Sequence, residues 1–184
     1  KDITGEVSGN VTNSAGAAFK YGALSARDVS FDTVSIETNA IGIETAGTGT
    51  ITMQDVIMGN TVDVSITGTA AVDFIEGTVD ANSVSVTGSG LFTRMRELAV
   101  TLTADSNPVP GATVNLLDAS GSTAGTGATD ASGQVGGLTF TTITVDNDGL
   151  ITPSLVGYQV STVAEVDYSY TSSSNNIMDF RYAF

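Results

Sequence analysis

The sequence predicts an all-β chain in two parts, a short parallel β-helical solenoid followed by a β-sandwich. Three observations carry this. One stretch is written three times over: VSFDTVSIETN from Val29, ITMQDVIMGN from Ile51 and VDFIEGTVDAN from Val72, at steps of 22 and 21 residues. A fixed period of this length, built from β-formers, marks a solenoid, because one coil cannot bury its own apolar face and must stack on the next. From Leu98 the period gives way to short alternating strands separated by Gly, Pro and Asp turns, the pattern of a sandwich. No helical period is sustained: Ala15 to Leu24 is the one candidate, and Gly16 and Gly22 undercut it.

The solenoid is expected over residues 1–97 and the sandwich over 98–184. Ile3, Val7 and Val11, set between Gly5, Gly9 and Gly16, form either a degenerate first coil or a capping strand. Each repeat is followed by a second apolar pair and a glycine turn: IGIETAGTG from Ile41, VSITGT from Val64 and VSVTGSG from Val84. Alternation points Val62, Val64 and Ile66 inward with Val84 and Val86, and turns Asp63 and Ser65 to water. Glycine is expected to supply the positive φ of each corner. Asn39, Asn60 and Asn82 end the three repeats. They are either a stacked amide ladder or three ordinary turn residues.

These runs resemble the coils of right-handed parallel β-helices of the pectin-lyase-like type, over about Gly5 to Phe92. No catalytic motif of that family accompanies them.

Leu91 to Glu97 breaks the pattern with Arg94 and Arg96 at the passage between the parts, read either as lying against acidic residues there or, the preferred reading, as a solvated pair. Leu98, Val100 and Leu102 then make a strand, Asn107 to Gly111 a turn, and Ala112, Val114 and Leu116 a second strand. Asp118-Ala119-Ser120-Gly121 and Thr129 to Gly133 are further turns. PVPGATVNL (Pro108 to Leu116), TDASGQV (Thr129 to Val135) and Gly157-Tyr158 are similar to motifs of carboxypeptidase-regulatory-like and collagen-adhesin B-type domains. The resemblance covers about Leu98 to Val166. It implies an Ig-like or prealbumin-like sandwich serving as a scaffold or adhesion module. A Lys–Asn isopeptide staple of the adhesin kind is excluded there, since the only lysines are Lys1 and Lys20.

Met178, Phe180, Tyr182 and Phe184 line one face of a final strand, with Ile177, Asp179, Arg181 and Ala183 on the other. So apolar a strand is an aggregation hazard on an open edge. It is either the last strand of its own sandwich or a strand given to a neighbour.

Charge and composition narrow the function. Twenty acidic side chains against six basic ones leave a net charge of −14. That argues against nucleic acid, whose phosphates are bound by Lys and Arg, and against an anionic membrane surface. No run reaches the ~18 apolar residues of a membrane helix. There is no cysteine and no histidine. Disulfides and thiolate sites are therefore excluded, and the commonest general base and metal ligand is missing. The chain opens on Lys1, read either as a cut fragment or as a mature secreted protein. Asn10-Val11-Thr12 is a glycosylation sequon.

The metal candidate is Asp146-Asn147-Asp148-Gly149, with Asp146 and Asp148 as calcium ligands; the competing reading is a plain turn. Asp118 and Asp130 share that ambiguity. Asp32, Asp55, Asp73 and Glu76 lie on or near successive coils, and the coil step sets Glu76 opposite Asp55 as the one carboxylate pair. No resident cofactor is expected, and no catalysis.

The expected role is an extracellular, cell-surface structural protein: a self-assembling filament or adhesion subunit, head-to-tail with copies of itself through strand edges. Surface glycans are possible further partners. The alternative is a polysaccharide-binding or polysaccharide-degrading β-helix. A low aromatic content (7%) and the absence of tryptophan weigh against it.

Overall fold

The computed structural model describes residues 9–12, 15–23, 26, 28–118, 120–151, 159–163 and 180–181. The chain divides into two units, Lys1–Arg96 with Thr141–Pro153, and Glu97–Phe140 with Ser154–Phe184. Residues 141–153 return to the first unit, which a single boundary does not anticipate.

The first unit is a parallel β-solenoid of about four turns. It opens with β1 (Gly9–Thr12) and β2 (Ala17–Tyr21). The next coil is β3 (Val29–Asp32), β4 (Val34–Glu37) and β5 (Ile41–Thr45), followed by β6 (Thr50–Gln54), β7 (Ile57–Gly59) and β8 (Val62–Ile66). Then come β9 (Ala71–Ile75), a 3-10 turn (Ala81–Ser83) and β10 (Val84–Val86), before β11 (Leu91–Thr101). Each of the two middle coils gives one strand to each of three sheets, and the coil of β9 and β10 reaches the first sheet only by the bridge of Thr78 to Ile57. The first is β1-β4-β7, the second β10-β8-β5-β2, and the third begins β3-β6-β9-β11.

The pairing register is the one the repeat implies. Val29 pairs with Ile51, Ile51 with Val72 and Val72 with Phe92. Inner columns result, because registered residues of parallel strands share a face. Phe31, Met53 and Phe74 form one such column, and Ile43 and Val64 another. All five are buried. Phe19 meets Phe31 edge-on at 4.8 Å between ring centres.

Two expectations about the coils are corrected. The corner between the third and first sheets is turned by the non-glycine residues Thr33, Asp55 and Glu76, at φ of 53°, 52° and 56°; only the last has a glycine of positive φ beside it, Gly77 at 72°. Each corner N–H donates across to the next coil, Thr33 to the Gln54 carbonyl, Asp55 to that of Ile75 and Glu76 to that of Met95. That bond offsets the left-handed cost of a non-glycine residue. Glycine serves close approach instead. A Cβ on Gly68 would press on the Ala46 carbonyl, and one on Gly88 on the Gly68 carbonyl. The second correction is Asp63, expected at the surface and in fact 1% exposed, while Val62 and Val84 are only half-buried.

The later elements are β12 (Thr103–Ala104), β13 (Asn107–Pro108), β14 (Thr113–Leu117), β15 (Thr123–Ala128), β16 (Gln134–Asp146), β17 (Gly149–Ile151), β18 (Gln159–Val163) and β19 (Phe180–Arg181). The second unit holds the antiparallel sheet β15-β14-β18-β19 and the small ladder β12-β13. Its core is Val100, Leu102, Ala112, Val114, Leu116, Val135, Leu138 and Phe140. The two motifs behind the adhesin resemblance lie together. The buried Thr129 hydroxyl donates to the Val109 carbonyl at 2.6 Å and accepts the Ala112 N–H at 2.9 Å. Asp118 and Asp130 each close a loop of the same form, accepting N–H bonds two and four residues ahead. The Ser120 hydroxyl and the Ser122 N–H hold Asp118 below the usual carboxylate range. The Gln134 and Ser132 N–H groups do the same for Asp130.

Candidate functional site at the end of the solenoid

The amide ladder is real but shorter than the sequence suggests. Asn60 Oδ1 accepts the Asn39 N–H at 3.0 Å and Asn39 Nδ2 at 2.9 Å. Asn60 Nδ2 donates to the Ile36 carbonyl at 2.7 Å and to Asp63 Oδ1 at 3.1 Å. Asp63 then takes the Asn60 N–H at 2.8 Å and the Asp80 N–H at 3.3 Å. A buried carboxylate ringed by N–H donors ends the ladder. Asn82 is not a rung. Pairing Val64 with Val84 sets the last step at 20 residues, so Asp80 stands opposite Asn60. Asn82 is exposed and turns back to Asp80 Oδ1 at 3.0 Å.

The carboxylates of the coils are dispersed. Asp55 and Glu76 occupy the same corner of neighbouring coils. Glu76 is held by Arg96 at 3.0 Å, and Asp55 accepts from the Gln54 amide at 3.4 Å. Asp32 accepts the Thr33 hydroxyl at 2.9 Å. Asp73 sits on the outer side of β9 between Thr52 and Thr93, and burial pushes its carboxyl up. The arginines are not the preferred solvated pair; for Arg96 the other reading, contact with an acidic residue, holds. Arg96 bonds Glu76 and, at 3.1 Å, the Gly77 carbonyl. Arg94 is registered with Phe74, so it continues an inner column, and Nε donates to the Thr142 hydroxyl at 3.0 Å. Burial first, and Arg96 second, lower its pKa.

The feature that distinguishes this end of the solenoid is its uneven termination. The third sheet continues β3-β6-β9-β11-β16-β17, running three strands beyond the coil that contains β9 and β10. Among the described residues the second sheet stops at β10, its outermost strand. At ~4.8 Å per strand the overhang is about 14 Å. A notch of about 380 Å³ lies between the β10 edge and the β16–β17 hairpin. Val84, Val86, Val145 and Leu150 line it with Asp146 and Asp148. Leu150 is 50% exposed, one of three large apolar side chains so exposed among the described residues.

Asp146 and Asp148 therefore sit on the hairpin beside the notch. The Asp146 carboxylate accepts the Asp148 N–H at 2.9 Å, and Asp146 pairs with Gly149 across the turn. Among the described residues no group of three acidic side chains is placed to hold a metal ion. Asn10 lies on β1 opposite Ser35. Of the expected assembly face, Phe180 is in β19, where Phe180 and Arg181 pair with Val160 and Gln159 of the same chain. Met178, Tyr182 and Phe184 lie outside the described residues. The notch escaped the sequence reading because TTITVDNDGLI, from Thr141, reads as any hairpin and carries no sign that it returns to the solenoid.

No family model, curated protein or solved structure matches this chain.

Proposed function

We propose that this is an extracellular structural protein, a surface or adhesion subunit that joins other copies through β-strand edges and has no catalytic role. On this reading the solenoid is a right-handed β-helix and the second unit an Ig-like or prealbumin-like sandwich, as the sequence resemblances imply. The observation that carries it is the edge of β10, which no further strand among the described residues pairs, beside the overhanging β16–β17 hairpin. An unpaired strand edge next to exposed apolar side chains favours pairing with another strand. The dispersed carboxylates support a non-catalytic reading: the one registered pair is committed to Arg96 and to a glutamine amide. A sugar-binding groove would call for stacking aromatics, and the notch lining contains none.

Sedimentation velocity of the full chain, over a range of concentrations in salt that screens the −14 charge, tests the proposal. Species that grow with concentration are expected. A monomer at every concentration refutes it.

A further inference from the structure

We infer that Asp148-Gly149, at the tip of the β16–β17 hairpin, is a site of spontaneous backbone modification, where aspartate converts to isoaspartate through a succinimide. The reaction is independent of assembly.

This is the one Asp-Gly pair in the chain, and no asparagine is followed by glycine. Glycine has no side chain to shield the attacking nitrogen. Gly149 stands at φ 116°, and a Cβ built on it would meet nothing within 4 Å. A succinimide ring therefore has room. Asn147 and Asp148 are both exposed, and exposed loop tips lie at the low end of local stability. The Asp148 carboxylate accepts no hydrogen bond among the described residues, although its own N–H is held by Asp146. The other turn aspartates followed by a small residue are engaged. Asp118 accepts the Ser120 O–H and the Ser122 and Ser120 N–H groups. Asp130 accepts the Gln134 and Ser132 N–H groups. These bonds hold both below the usual carboxylate range, and an ionised carboxylate is a poor electrophile. Asp148 alone of the three combines a free carboxyl with a glycine next in the chain.

The chemistry needs only water. The Gly149 nitrogen attacks Cγ of the protonated Asp148 carboxyl, an intramolecular step favoured by proximity. An N–Cγ bond forms, and the carboxyl hydroxyl leaves with the amide proton as water. A second water then opens the ring. Attack at Cγ restores aspartate. Attack at the Asp148 main-chain carbonyl carbon breaks its bond to nitrogen. The main chain then runs through Cβ and Cγ, and the carboxylate sits on Cα. Mass is unchanged, and nothing is oxidised or reduced. The product has an extra backbone atom between Asp146 and Gly149, so that pair cannot keep its register.

Prolonged incubation of the full chain at neutral pH tests this, with an isoaspartate methyltransferase and labelled S-adenosylmethionine as the probe. Methyl uptake should grow with time, and electron-transfer fragmentation should place most of the isoaspartate at residue 148. Asp148→Glu keeps the charge but must close a larger, slower ring. It should lose most of the uptake, with circular dichroism unchanged. Uptake that maps to Asp118 or Asp130, or that survives Asp148→Glu, overturns the assignment. So does uptake at residue 148 that appears in urea and not in the folded chain, since the hairpin would then protect the site.

Discussion

Replacing Asn60 with alanine separates the structure from the bare repeat. The side chain makes four hydrogen bonds, two accepted from Asn39 and two donated, to Ile36 and to Asp63. Asn39 and Asp63 are 3% and 1% exposed, so water cannot replace the lost partner without opening the coil. At about 1 kcal/mol per bond, with a further penalty for each buried group left unpaired, the loss should be about 3–5 kcal/mol. Asn82→Ala removes an exposed amide bonded to Asp80 alone and should stay within ~0.5 kcal/mol. Urea unfolding of both variants measures the difference, and hydrogen exchange assigns it to the amides of β4, β5, β7 and β8. A loss below ~1 kcal/mol for Asn60→Ala, or equal losses for the two variants, would refute the ladder.

Other expected outcomes follow from single residues. Ile66 is fully buried, so Ile66→Asp should cost about 4 kcal/mol or more and melt the solenoid early; an unchanged melting temperature would break the coil register. Asp73 has a raised folded pKa from burial, so its ionised form opposes folding at neutral pH and the penalty fades as pH falls. Asp73→Asn should accordingly raise the melting temperature at pH 7 and not at pH 3; a loss at pH 7 contradicts this. Asp130 is the opposite case. Its folded pKa is lowered by the Gln134 and Ser132 N–H groups, so its contribution is present above the unfolded value and disappears as pH falls through the folded one. Asp130→Ala should lower stability at pH 7 and make no difference in strong acid.

The coil register was legible because β-branched residues recur at Val29, Ile51 and Val72, and stacking requires like to sit on like. What the period could not show was its own shortening. The last step contracts to 20 residues, and the rung expected at Asn82 passes to Asp80. Asp63 was misplaced because strict alternation fails where a strand enters from a corner, and there an acidic side chain can be buried against amide donors. The corners were misassigned for a related reason. Thr33, Asp55 and Glu76 adopt a conformation that composition attributes to glycine, and the cross-coil bond that permits it is non-local. Arg94 was read as solvated because nothing in its neighbours in sequence reveals that its register partner is Phe74. The notch depends on β16 and β17 joining a sheet begun more than a hundred residues earlier at Val29. No local pattern records that return.

The most direct measurement is sedimentation equilibrium of the full chain over a range of concentrations, in salt that screens the −14 charge. The account predicts reversible oligomers whose mean mass grows with concentration. One monomer mass at every concentration would contradict it.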